Sequence, residues 1–270
     1  MTTISIHKEP EISDFYQHIR DYWAQLSQAP EGDASLMLNF GYWPEGVEHL
    51  FDAQCRFVEE IEALLPKVSP GTQGLEIGCG IGGVSIKVLK DHPDLSMTAL
   101  DISATQLGIT QQHAQQAGVS NRLKTQQGDA MALPFPGATF DLTMCIESTF
   151  HYEDKAKFMH SNFKVLKPGG CTVLADITCE DNGRVRFRQG NHFESRQTYI
   201  DLAKEAGFEV ESVADIGPCV FAPLYRFIKA FNQTHRVHSG KYWSVVLRNY
   251  EELCAQGQMG YHLFRLKKPL

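Results

Sequence analysis

The run GLEIGCGIGG, Gly74 to Gly83, places one carboxylate, Glu76, two residues ahead of a series of alternating glycines. Gly78, Gly80 and Gly83 satisfy G-x-G-x-x-G, and Asp101 follows the last of them at roughly the distance of a ribose-binding acid. Such a loop suits either of two adenosine-bearing ligands. A dinucleotide rests its pyrophosphate on the helix N-terminus, whereas S-adenosylmethionine presents a sulfonium and an ammonium in place of phosphates. Glu76 separates them. A carboxylate a few ångströms from a pyrophosphate costs about 1 to 4 kcal/mol, depending on the local dielectric, while the same group attracts a methionyl ammonium. Charge therefore favours the sulfonium ligand.

Further acids recur at matching places: Asp129 just after the third apolar run, Glu147 with His151 after the fourth, and Asp176 near the end of the fifth. In an open parallel sheet ligands sit beyond the carboxyl ends of the strands, so one crevice could collect all five acids. Each alone could equally cap the helix that follows it. Five in register point to a site. Histidine at such a place suits proton removal, because its ordinary pKa near 6.5 lies close to working pH.

The elements that must position these groups show as short apolar runs alternating with helix-like stretches, the pattern of an α/β fold. Strands are expected at Gly74–Ile77, Met97–Asp101, Leu123–Gln127, Phe140–Ile146, Cys171–Ile177, Glu209–Ile216 and Tyr261–Leu266. Helices are expected at Ile81–Lys90, at Ser103–Ala117 between a Ser cap and Gly118, at Lys155–Leu166 ending on KPGG, and at Ser195–Ala206 ending on Gly207. This divides the chain into a helical cap over residues 1–70, a core over 71–217 and 259–270, and a helical lid over 218–258.

A chain of 270 residues with 43% hydrophobic content can bury the core of one large folding unit. A formal charge of -7 gives no overall cationic field for nucleic acid or an anionic membrane. Seven cysteines without a C-x-x-C pair read as free thiols in a reducing compartment, and neither a spanning apolar run nor a secretion signal is evident, so a cytoplasmic protein with a small-molecule partner is expected. No metal is assigned, since no HxxE- or HxH-like cluster occurs on one element.

Several ordered motifs resemble the class I S-adenosylmethionine-dependent methyltransferases. LEIGCGIGG, TALDIS, GDAMALPF, FDLTMCIES and VLKPGG fall in that family's order, and NFGYW, ESTFHY and the late insert are most similar to its small-molecule branch, the antibiotic sugar O-methyltransferases, with tocopherol- and quinone-type enzymes as more distant relatives. The resemblance implies a Rossmann-like, doubly wound seven-stranded sheet, mostly parallel with an antiparallel last strand, and S-adenosylmethionine as cofactor. It also implies roles: Glu76, Gly78 and Gly80 at the methionyl end, Asp101 on the ribose hydroxyls, Ile102 on the adenine face, Asp129 and Ala130 on the adenine edge, with Gln106 and Ile146 nearby. Tyr16, Tyr42 or Trp43 would close the cap over the cofactor, although an aromatic in a helical cap more often fills core.

In the same resemblance His151 matches a general base and Asp176 the carboxylate that orients it. Glu147 at its strand end, Arg186 in a basic run and His192 where a substrate pocket could lie are assigned to the acceptor from their own positions in the chain. The acceptor is then a hydroxyl of a small metabolite in a tailoring pathway. Carbon or nitrogen methylation on the same fold, an NAD-dependent oxidoreductase and a non-catalytic cofactor-binding protein are the alternatives. Between Ile216 and Tyr250 there is no acid, while Arg226, Lys229, Arg236, Lys241 and Arg248 lie there and Arg184, Arg186 and Arg188 alternate just upstream. That basic stretch is either a solvated surface or the lid over an anionic acceptor. Neither the acceptor's identity nor the oligomeric state can be read from the chain.

Overall fold

A computed structural model describes residues 19–27, 37–180, 191–235 and 240–270. Seven strands form one sheet in the order β3-β2-β1-β4-β5-β7-β6. They are β1 (Thr72–Ile77), β2 (Leu95–Asp101), β3 (Leu123–Gln127), β4 (Phe140–Ile146), β5 (Leu166–Cys179), β6 (Glu209–Asp215) and β7 (Met259–Lys267). β1 to β5 pair in parallel, and β7 runs antiparallel to both β5 and β6. The central strands are buried on both faces, as apolar runs flanked by helices require. β6 is the exposed edge and carries charge, with Glu211 paired to Arg265 of β7 at 2.7 Å.

Helices fill the connections: α1 over residues 19–27, α2 (Leu50–Glu62), α3 (Gly83–Asp91), α4 (Ala104–Gln116), α5 (Lys155–Val165), α6 (Arg196–Glu205), α7 (Phe221–His235) and α8 (Gly240–Ala255). Their ends follow local chemistry. Ser103, Asp154 and Ser195 accept from the N–H groups of Gln106, Lys157 and Thr198, so α4, α5 and α6 start where orphan donors find a side chain. One expected boundary is corrected. KPGG does not separate helix from strand: α5 stops at Val165, Leu166 already pairs with Phe140, and Lys167–Gly170 lie inside β5 at a register shift. Pro168 cannot donate to a ladder and Gly169 adopts φ +77°, which a bulge accommodates and a regular strand does not.

α1, residues 37–43, α2 and the α7–α8 hairpin share one apolar cluster with a face of the sheet. Trp23 packs edge-on to Trp243 at 4.8 Å and Trp43 tilts against Phe227 at 5.2 Å, so cap meets lid directly. The strand order reverses between β1 and β4, and the loops after these two strands diverge there to open a crevice.

Candidate active site

The loop after β1 is fixed from beneath. The N–H groups of Gly78 and Cys79 both donate to Leu100 O, at 2.8 and 2.9 Å. Asp101 at the end of β2 accepts Gly80 N–H on one oxygen and Ser103 N–H on the other, each at 2.9 Å. Gly78 has φ +74°, and a Cβ there would lie 1.9 Å from Ser148 Oγ, in the turn after β4. Only glycine allows the two diverging loops to meet. Gly80, at φ +54°, has no protein atom within 4 Å of a Cβ position, so that side of the loop is open to a ligand.

One cavity joins this loop to the far strands. Glu76, Gly78, Gly80, Asp101, Ile102, Gln106, Asp129, Ala130, Ile146, Glu147 and His151 all line it, so the structure brings together most of the residues singled out from sequence. Glu76 is buried, and one of its oxygens takes both the N–H and the hydroxyl of Ser85 in the first turn of α3. Burial pushes its carboxyl up to about 7 against those two hydrogen bonds, with Asp101 adding to the rise. Glu147 adopts φ +48°, and its Oε1 accepts Phe40 N–H at 2.8 Å and Tyr261 hydroxyl at 2.7 Å. Burial raises this carboxyl to about 8. The described lining carries four carboxylates and no lysine or arginine. Buried carboxylates that resist ionisation favour a cationic ligand, which stabilises their charged form.

Ile102 is an apolar side chain left 49% exposed beside Asp101. Asp129 accepts Met131 N–H at 2.8 Å, and both Asp129 and Ala130 line the cavity. Gln106 is buried and accepts from Arg20 of α1 at 2.7 Å, tying the cap to the nucleotide side of the sheet. An open glycine cradle, two acids on successive strand ends and an exposed apolar platform between them fit an adenosine carrying a cationic tail.

Four expectations, for Asp176, Trp43, Tyr42 and His192, meet a different outcome. Asp176 is fully buried and lies outside the cavity lining; it accepts from Ile177 N–H at 2.8 Å, from Tyr199 hydroxyl at 3.2 Å and from Phe150 N–H. Its carboxyl is raised by burial against the pull of the Lys155 ammonium. Asp176 thus supports the backbone of the Thr149–His151 turn from below. Trp43 is core: its indole donates to Phe40 O at 2.9 Å and its ring packs on the lid, outside the cavity. Tyr42 also lies outside the lining. His192 gives its backbone to Phe150 O and to the Lys155 ammonium, while its neighbours Asn191 and Phe193 line the cavity. Arg226, Lys229 and Arg248 of the lid are exposed and outside the lining, as on a solvated surface. Tyr16 and Arg186 fall outside the described residues.

The cavity also takes side chains that the sequence did not single out: Met37, Asn39 and Phe40 from the cap, Ser148 and Tyr152, whose hydroxyls bond each other at 2.7 Å, and Tyr250 from α8. NFGYW carried the signal, through Asn39 and Phe40 instead of its Trp.

A family profile described as a methyltransferase domain matches residues 75–170, the stretch that builds the glycine loop, the two acidic strand ends and the His151 turn. The chain is a class I S-adenosylmethionine-dependent methyltransferase. Erythromycin 3''-O-methyltransferase of Saccharopolyspora erythraea is 30% identical over 66% of this chain, which spans 64% of that protein's length. The 27-O-demethylrifamycin SV methyltransferase of Amycolatopsis mediterranei is 29% identical over 86% of this chain and 90% of its own. Among solved structures the [4+2]-cyclase SpnF superposes with a TM-score of 0.77 at 21% identity, covering 96% of this methyltransferase and 94% of itself. That likeness is one of fold alone. No described helix is long and apolar enough to cross a membrane, and no described group of three or more His, Cys, Asp or Glu could hold a metal ion.

Proposed function

We propose that this methyltransferase methylates a hydroxyl of a small metabolite in a tailoring pathway, with His151 as general base. The observation that carries the reading is a single cavity running from the glycine loop to His151, acidic along its nucleotide half. When bound, the cofactor supplies an electrophilic methyl on sulfur. Asp101 and Asp129 would hold its ribose and adenine, Ile102 would cover the adenine face, and Glu76 would attract its ammonium, with Gln106 and Ile146 along the same wall. The residues at the opposite wall then aim the acceptor oxygen at the methyl, and positioning two reactants in line supplies a large part of the acceleration.

His151 sits on the short turn Thr149–His151, its ring packed on Phe150 at 4.2 Å and facing the cavity. The imidazole takes the hydroxyl proton as the oxygen attacks. Asp176 and Tyr199 act by holding the turn: Tyr199 donates to Asp176 and accepts from the Thr149 hydroxyl at 2.8 Å, and Asp176 accepts from Phe150 N–H, so the turn is anchored at two successive residues. Glu147 faces the acceptor side. The relatives named for hydroxyl methylation support oxygen as the acceptor atom. All seven cysteines are free, which supports a reducing, cytoplasmic setting.

The test combines carbon-13 methyl-labelled cofactor, a fractionated metabolite extract and NMR of the labelled product. An O-methyl product is expected, and His151→Asn should slow its formation by about 100- to 1,000-fold with unchanged S-adenosylhomocysteine affinity. A C-methyl or N-methyl product, or a His151→Asn rate within threefold of wild type, would remove the general base from the account. Failure of any label transfer would favour a non-catalytic protein.

A further inference from the structure

The acceptor half of the cavity differs in chemistry from the nucleotide half. Phe150, Phe193 and Tyr250 form a continuous aromatic wall, with ring centroids 6.0 Å apart for the first pair and 6.3 Å for the second. Met37, Ile146 and Ile177 complete it from the cap and from the ends of β4 and β5. The polar groups on this half are few, and some are already engaged: the Ser148 and Tyr152 hydroxyls bond each other, and Glu147 Oε1 holds Phe40 N–H and Tyr261.

Asn39 is the exception. It is 4% exposed and lines the cavity, yet its Nδ2 has no hydrogen-bond partner. Among the described residues with a buried, unpartnered side-chain nitrogen or oxygen, it alone lines the cavity. Its amide orientation is set, because Oδ1 accepts Gly41 N–H at 3.0 Å, and its carbonyl is held by Gln54 at 2.9 Å and Trp23 at 3.3 Å. A buried amide donor left unpaired is unfavourable until something accepts from it. A sugar ring would bring several hydroxyls against an aromatic wall that cannot pair them, whereas a molecule with one or two oxygens on an apolar frame meets both the wall and the lone donor.

We propose, on the methyltransferase reading above, that the acceptor is an uncharged, largely apolar molecule with an oxygen that accepts a hydrogen bond from Asn39 Nδ2. The proposal selects against a free sugar and against an anionic acceptor. It makes Asn39 a specificity residue and leaves His151 to meet the reacting hydroxyl.

The probes are 1-naphthol, farnesol and methyl glucoside, each titrated calorimetrically into the full chain saturated with S-adenosylhomocysteine. Binding of at least one apolar probe, with the glucoside at least tenfold weaker, is the expected result. Asn39→Asp keeps the acceptor for Gly41 N–H and lacks the donor; it should weaken the apolar probe by about tenfold and leave the S-adenosylhomocysteine Kd within twofold. Asn39→Ala, which removes the donor without adding charge, gives a second reading if the charged variant melts early. Equal or tighter glucoside binding, no binding by either apolar probe, or variants that leave probe affinity unchanged would overturn the proposal. So would variants that weaken S-adenosylhomocysteine instead, since the oxygen would then be the cofactor's own carboxylate. Failure of the wild type to bind S-adenosylhomocysteine at all would strike the methyltransferase reading itself.

Discussion

Glu76 and Glu147 both end a strand of the same sheet, yet neighbours give them different work. Glu76 is held by Ser85 under the glycine loop and is raised by burial to about 7, so near neutral pH the ligand-free protein carries it only partly ionised. A bound ammonium lowers that value again, and binding below about pH 7 must therefore release a proton. The affinity for S-adenosylhomocysteine should be strongest near pH 8 and weaken progressively as pH falls through 7 toward 6. In Glu76→Gln the affinity should be weaker and flat over the same range. Calorimetry at pH 6, 7 and 8 decides it, and a wild type that shows no trend would remove the ammonium contact. Asp101, the other acid near Glu76, is itself raised by burial and is engaged by Gly80 and Ser103 N–H groups, which fixes its geometry.

At the scale of elements, the site exists because two loops leave the sheet at its reversal point and pass within contact distance. Gly78 and Gly80 both adopt positive φ, but their surroundings differ: a Cβ at Gly78 would strike Ser148, whereas one at Gly80 would meet nothing. Gly80→Ala should then cost about 1 to 2 kcal/mol from backbone strain alone. Gly78→Ala should cost a further 1 to 3 kcal/mol from overpacking, because Ser148 is held by Tyr152 and cannot swing clear without breaking that bond. Chemical denaturation of both variants measures the gap, and equal costs would show that the loops part readily. The strand ends and capped helices were legible, since Ser103, Ser195, Gly118 and Gly207 carry local signals. The bulge inside β5 was not, because proline and glycines mark a break equally well whether a helix ends there or a strand bends.

For the whole molecule, Glu147 links cap, β4 and β7 through Phe40 and Tyr261. Its folded carboxyl, raised to about 8, stands above the ordinary unfolded value near 4.5. The protonated form is favoured by folding, so its contribution is fully present below about pH 4.5 and is lost as pH rises through 8. Glu147→Gln keeps an oxygen for both donors and never ionises. Relative to that variant, wild type should lose thermal stability steadily from pH 5 to pH 8 and then level off. Scanning calorimetry of the pair gives the difference directly, and a difference independent of pH would mean that Glu147 ionises normally in the folded chain.

The chain's own pattern determined what depends on neighbours in sequence: the α/β alternation, the glycine loop, and the acids and histidine at strand ends, because periodicity and capping act within a few residues. Tertiary structure alone decided which of those residues share a cavity. Asp176, Trp43 and His192 carry side chains suited to the site but lie outside the cavity lining, while Asn39, Phe193 and Tyr250 come from segments far apart and converge. Burial sets both outcomes, for it depends on how cap, sheet and lid close on one another, and no window along the sequence contains that contact.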